Sequence, residues 1–313
     1  MSQLSKLKKC FPFEWIFFNF QTKRDKRRRM SRVAYVNGRY LRHAEAQVHI
    51  EDRGYQFSDG IYEVILIRNG KLIDEEQHLK RLQKSLSSLE LVLPMKQTSM
   101  RHVMKEVIKR NKFQNGIIYI QITRGVAARE HSFPKYPSPT LVMTARRIAV
   151  KNYNEIESGV KVITIDDIRW KRCEIKSISL LPNVLGKQAA RKQGAYEAWM
   201  VNAAGFVTEG TSTNAWIVSP DGKLITADLG SNILSGITRN TFIQIIRKLN
   251  YKLEERQFSV EEAKNAREAF FTSSTSFLTP VTEIDGAVIG NGRAGSLSIE
   301  LLKAYDNYIH KAD

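Results

Sequence analysis

Two Asn-Gly dipeptides, each set between β-forming residues, limit the folds open to this chain. Val33-Ala34-Tyr35-Val36 precedes Asn37-Gly38, and Arg39-Tyr40-Leu41 follows it. Residues 62–68 precede Asn69-Gly70, and Lys71-Leu72-Ile73 follows. A two-residue hairpin turn needs positive φ at both central positions, which Asn and Gly tolerate best. Each dipeptide therefore predicts an antiparallel hairpin, and an all-helical fold is excluded.

Helical periodicity is interleaved with the strands. After the second hairpin, Leu79, Leu82, Leu86 and Leu89 repeat at three and four residues, the spacing of one helix face. Asp74 is expected to cap that helix, with Gln77 at the capping-box position. Met100, Met104, Val107 and Ile108 mark a second helix, and strands are expected at 117–123 and 140–144. A polar stretch at 147–153 reads as a linker. Beyond it come a strand at 160–164, a helix at 183–192 opened by Pro182, and strands at 197–201 and 215–218. A helix at 236–250, with Phe242, Ile245, Ile246 and Leu249 inward, a strand at 269–272 and a helix at 295–310 complete the pattern. Strands interspersed with helices predict an α/β (α+β) protein of two lobes. The domains are expected at 30–149, a small N-terminal lobe, and at 150–313, a larger β-rich lobe. A site would lie in the cleft between them.

The formal charge of +17 invites a nucleic-acid partner. Its distribution argues otherwise, because residues 1–29 hold nine Lys and Arg against Glu14 and Asp25. The rest is diffuse and lacks aromatic-basic interleaving, so no nucleic acid is expected. The apolar run at 10–20 is broken by Pro12, Glu14 and Asn19 and falls short of the roughly 20 residues that span a bilayer. A basic run follows it without a small-residue cleavage site, unlike a secretory signal. Peripheral membrane anchoring by this stretch is the competing reading. Residues 1–29 are read as a basic extension, non-native or disordered, with Met30 as an alternative start; no membrane partner is expected. Two cysteines, Cys10 and Cys173, are too few for a disulfide framework and fit a reducing, cytoplasmic compartment. No Cys/His cluster has metal-ligand spacing, so no metal is expected.

Chemistry concentrates in a few segments. Lys176 lies among Ile175, Ile178, Leu180 and Leu181. A buried stem would disfavour its ammonium form and leave an amine able to attack a carbonyl; the bland alternative is a side chain that snorkels to water. Lys187, further on, reads as a solvated surface charge. Glu209 stands in a turn of small hydroxyl residues, 207–214, either as a loop acid or as a carboxylate held against a pyridine nitrogen. Ser235-Gly236-Ile237-Thr238 opens a helix, either as an ordinary N-cap or as a set of free N–H groups that suit a phosphate, and Ser274 lies in a second hydroxyl-rich loop. Arg81 offers the charge to neutralise that phosphate. Arg129 and His131 sit two apart in a loop after a strand and either bind a carboxylate or face solvent. The stretch 51–63 is denser in charged, aromatic and Gly residues than a core needs.

These segments resemble the class IV pyridoxal-phosphate aminotransferases. The resemblance runs from about Val33 to His310 and rests on EDRGYQFSDGIYEV (51–64), ITRGVAAREHSFP (122–134), DDIRWKRCEIKSISLL (166–181), VTEGTSTN (207–214), ILSGITRN (233–240) and TSSTSFLTPV (272–281). It implies pyridoxal 5′-phosphate as cofactor, amino acids and 2-oxo acids as substrates, and a homodimer. By that likeness Lys176 would bond the cofactor as a Schiff base and shuttle a proton. Glu209 would pair with the ring nitrogen, and Leu234 would contact the ring. Arg81, Ile237, Thr238 and Ser274 would hold the phosphate. Tyr62, Arg129 and His131 would trap the substrate α-carboxylate, the latter two reaching into a neighbouring subunit. That trap is a feature of the D-amino-acid branch, which implies transfer from D-alanine to 2-oxoglutarate by a ping-pong route. The L-branched-chain enzymes are the nearest competitor, and a lyase of the same fold that eliminates pyruvate is a third relative. Ser179 and Pro182 depart from the D-type pattern.

Overall fold

The computed structural model describes residues 32–149, 156–230 and 232–311. The reading of residues 1–29 lies outside them, as does the expected linker from residue 150 on. The described residues form one compact unit.

The first half builds one antiparallel sheet. Its strands are β1 (Val33–Val36), β2 (Arg39–Arg42), β3 (Gly60–Arg68), β4 (Lys71–Leu72), β5 (Gly116–Thr123) and β6 (Thr140–Arg147), in the order β2-β1-β6-β5-β3-β4. Both hairpins close as the dipeptides predict. Val36 pairs with Arg39 and Arg68 with Lys71, and all four Asn and Gly residues take positive φ. A short helix, α1 (Arg53–Phe57), precedes β3; α2 (Glu75–Ser88) and α3 (Gln97–Asn111) link β4 to β5. Leu79, Leu82 and Leu86 of α2 and Met100, Met104 and Val107 of α3 pack on Ile61, Ile65 and Ile118. Leu66 and Ile117, on the other face of the sheet, join a second core with Trp216, Phe242 and Tyr305. β3 is thus buried on both faces, which is why it reads as a continuous apolar run rather than an alternating one.

The second half is a mixed sheet. It comprises β7 (Val160–Asp166), β8 (Glu197–Val201), β9 (Val207–Gly210), β10 (Asn214–Val218), β11 (Leu224–Thr226), β12 (Leu253–Glu255), β13 (Glu268–Ser273), β14 (Phe277–Ile284) and β15 (Ala287–Val288). The order is β12-β11-β10-β13-β14-β7-β8-β9, with β15 on β14. Helices α4 (Leu181–Lys192), α5 (Ile237–Lys248), α6 (Val260–Lys264) and α7 (Ser296–Lys311) complete it.

Three local expectations are corrected. Glu209 stands on β9, not in a turn; the small polar residues after it turn into β10. Asp74 occupies the N-cap position of α2 but makes no capping bond. Its carboxylate instead accepts from Tyr308 Oη at 2.6 Å and Thr241 Oγ1 at 3.2 Å, joining α2 to α7 and α5. Leu249 ends α5 at the surface, 40% exposed. β14 pairs with both β13 and β7, although Pro280 argues against a central strand. Its pairing with β7 begins only at Val281, beyond the proline, so the missing N–H interrupts no ladder bond there.

Candidate active site

The lysine segment is stitched to the opposite half of the molecule. Lys176 lies between β7 and α4, and its carbonyl accepts from Tyr62 N of β3 at 3.0 Å. Ile178 N donates to Gly60 O at 3.1 Å, and Lys176 N donates to Ser85 Oγ of α2 at 3.2 Å. The second half thereby adds a short edge segment to the first sheet, bridging Ile61 with Ser177. The apolar surroundings differ from expectation: Ile175 is buried in the first core, but Leu181 is 68% exposed. The half-buried Lys176 side chain enters the cleft, with Nζ 4.2 Å from the Tyr62 ring centroid. That ring stacks on Tyr119, whose phenol burial pushes up to about 12.

Glu209 faces the same cleft from β9. Its carboxylate accepts from Asn214 Nδ2 at 3.1 Å, from Leu234 N at 3.2 Å, and from the Arg169 guanidinium. Asp167 holds Arg169 through Nε and Nη2 at 2.9 and 2.7 Å, and Thr208 Oγ1 donates to Asp167 at 2.7 Å. Burial pushes the Glu209 carboxyl up, against the pull of Arg169. Burial also opposes the Arg169 charge, but Asp167 and Glu209 hold the guanidinium above its ordinary range. Arg169 carries no sequence signal beyond its place in the segment 166–181, because Glu209 lies 40 residues away and the Asn232 carbonyl, which accepts from it at 3.0 Å, lies 63 away. Cys173 lines this wall, and burial raises its thiol to about 11.

The far end suits an anion. α5 starts at Ile237 with Gly236 at its N-cap and no side-chain capping bond, leaving backbone N–H groups directed outward. A Cβ on Gly236 would sit 2.0 Å from Asn214 Oδ1, so only glycine allows Asn214 to approach. Thr238 Oγ1 lies 3.5 Å from Ser274 Oγ. Arg81 borders the same space, pinned by a bidentate pair to Glu63 at 2.7 and 2.8 Å and by donation to Ser235 O at 2.9 Å. His78 Nδ1 lies 2.8 Å from Glu63 Oε2. Burial opposes ionisation of Glu63, but Arg81 and His78 hold its carboxyl well below the usual carboxylate range; burial pushes the His78 imidazole down. Sequence reasoning missed Glu63 and His78, which lie on β3 and α2 and meet only in the fold.

One cavity is therefore lined by Tyr62, Arg81, Lys176, Glu209, Leu234, Ile237, Thr238 and Ser274. Arg129 and His131 stand apart from it: both are exposed on the β5–β6 loop, Arg129 Cζ lying 4.8 Å from the Phe57 ring centroid. Lys187 is not the solvated charge expected; it approaches the buried Glu197 carboxylate at 3.5 Å and donates to Tyr196 O.

The family model described as amino-transferase class IV matches residues 60–284, more than two thirds of the chain. The chain belongs to the class IV aminotransferases. The D-alanine aminotransferase of Staphylococcus haemolyticus is 40% identical over 275 residues, spanning 88% of this chain and 97% of that protein. That of Bacillus licheniformis is 40% identical over 273 residues, 87% and 95% of the two chains. Among solved structures, the branched-chain amino acid aminotransferase of Thermobaculum terrenum, in its PLP (holo) form, shares the fold, with a TM-score of 0.79 at 22% identity over 90% and 95% of the chains. The chain is a transaminase, and its cofactor is pyridoxal 5′-phosphate. The donor set fits that group. An amine can bond its aldehyde, an oriented carboxylate can face its ring nitrogen, and a cation with a helix N-terminus can hold its phosphate. Among the described residues no helix is long and apolar enough to cross a membrane.

Proposed function

We propose that this class IV transaminase moves the amino group of a D-amino acid, D-alanine first, to a 2-oxo acid such as 2-oxoglutarate, in ping-pong order. The carrying observation is the convergence of Lys176, Glu209 and Arg81 on one cavity, in a chain 40% identical to D-alanine aminotransferases. The bound cofactor supplies an electron sink for the bonds at the substrate Cα. The Lys176 amine moves the Cα proton. Glu209, oriented by Arg169, Asn214 and Leu234, keeps a proton on the ring nitrogen. Arg81, the Ile237 and Thr238 amides, the Thr238 hydroxyl and Ser274 would hold the phosphate, and Leu234 would contact the ring.

Tyr62, Arg129 and His131 hold the substrate α-carboxylate. Arg129 and His131 are exposed and outside their own chain's cavity, which supports a homodimer in which each loop serves the other subunit's site. The two sheets are taken as two domains, 30–149 and 150–313, and the buried free thiol of Cys173 supports a cytoplasmic setting.

Paired assays of D-alanine and L-leucine with 2-oxoglutarate test the reading. Turnover of D-alanine is expected; activity with L-leucine alone overturns it in favour of branched-chain transfer. Lys176→Ala should abolish activity and the visible absorbance of the lysine-bound cofactor. Mixed Lys176→Ala and Arg129→Ala subunits should regain activity if the loops are exchanged between protomers.

A further inference from the structure

The motif at 51–63 contributes only Tyr62 to the cavity wall, with Glu63 holding Arg81 from behind, and its remaining charge and aromatic content has a different use. Arg53 lies on α1 and is 3% exposed. Its Nε donates to Asp59 Oδ2 at 2.8 Å. Its two terminal nitrogens donate to the carbonyls of Glu130 and of His131, the latter at 3.2 Å. One buried guanidinium thus grips consecutive backbone carbonyls in the stretch that carries Arg129 and His131.

The same Asp59 oxygen accepts from Arg124 Nε at 2.8 Å. Arg124, 2% exposed, lies 3.5 Å from the Phe133 ring centroid and donates to Leu89 O at 2.7 Å. Two buried guanidinia on one carboxylate carry a desolvation cost, which falls only when their other donors are satisfied. Here backbone carbonyls satisfy them. The segment whose carbonyls Arg53 binds, between β5 and β6, has no regular structure of its own, and loops of this length are ordinarily variable in conformation. Phe57 completes the seat. Its ring lies under the Arg129 guanidinium at 4.8 Å, against the His131 ring at 5.4 Å, and under Arg53 at 4.8 Å.

We propose that Arg53, oriented by Asp59, and Phe57 are positioning residues for substrate-carboxylate recognition: Arg53 fixes the backbone of the 129–131 loop and Phe57 fixes its two side chains. The inference rests on the reading of Arg129 and His131 as the carboxylate-holding pair. It explains why a loop on the surface is anchored by buried charge: a guanidinium and an imidazole recognise a carboxylate only when both are aimed, and small misplacements are costly.

The test uses the holoenzyme. Arg53→Lys keeps the charge beside Asp59 but cannot fork to two carbonyls. It should raise KM for both D-alanine and 2-oxoglutarate by about tenfold or more, with a smaller change in kcat and an unchanged cofactor absorbance. Amide exchange across 127–133 should quicken. In an Arg129→Ala/His131→Ala background the same substitution should leave KM where that background set it. Equal fold-changes in both backgrounds, or an unchanged KM in the otherwise intact enzyme, overturn the proposal. If Arg129→Ala/His131→Ala itself leaves KM unchanged, the carboxylate reading beneath it fails instead. Should Arg53→Lys not accumulate as folded holoenzyme, Phe57→Leu carries the same expectations, because it keeps apolar bulk and removes the ring.

Discussion

Replacing Glu63 with Gln should cost this protein more when the cofactor is absent than when it is bound. Glu63 is 1% exposed, and both its oxygens are engaged, by Arg81 at 2.7 and 2.8 Å and by His78 at 2.8 Å. The amide keeps one acceptor but turns an NH2 toward other donors, and it leaves the Arg81 side chain, only 9% exposed, without a counter-charge. Breaking a buried pair from one side costs about 3–5 kcal/mol. At roughly 2–4 °C per kcal/mol for a chain of this size, the ligand-free melting temperature should fall by about 6–20 °C. A phosphate dianion beside Arg81 would replace the lost carboxylate, so saturating pyridoxal 5′-phosphate should narrow the gap between variant and parent. The sign with pH follows from the same pair. The folded-state carboxyl is held below its unfolded value, so its contribution is complete above about pH 4.3 and is lost as pH falls further. The two proteins should therefore converge in acid. Thermal melts with and without cofactor, across pH, decide the matter. A deficit below about 1 kcal/mol, the scale of a surface pair, or one that does not shrink on cofactor binding, would refute the reasoning.

Three further outcomes are expected. Gly236→Ala forces Asn214 aside and with it the support of Glu209, so it should cost about 1–3 kcal/mol in melts and weaken cofactor binding in absorbance titrations. Phe242→Ala removes a fully buried ring stacked at 4.8 Å on Tyr305, and denaturant unfolding should register a loss of about 3–5 kcal/mol. Asp74→Ala should cost about 1–3 kcal/mol by unbinding Tyr308 and Thr241, while far-UV circular dichroism of the folded protein stays unchanged because Asp74 makes no cap bond.

The sequence alone determined the features that depend on near neighbours. Asn37-Gly38 and Asn69-Gly70 specify their turns because both positions need positive φ. The spacing of Leu79, Leu82 and Leu86 specifies a helix face because 3.6 residues make a turn. The candidate lysine, acid and phosphate-end residues were legible from residue type and motif order, and the fold brings them around one cavity. Only the tertiary structure decided how each is held. Glu209 sits on a strand because β8 and β9 pair, and Arg169 reaches it across 40 positions. Arg81 is aimed by a carboxylate from another element and by a carbonyl 154 residues away. β14 stayed hidden because Pro280 breaks the local strand signal, while the late start of the β7 ladder removes the penalty. Arg129 and His131 look like neighbours of Lys176 in function, yet the fold carries them to an exposed loop of the same chain. Periodicity and turn chemistry act over a few residues, whereas pairing of charges and strands depends on which distant segments the topology brings within hydrogen-bond reach.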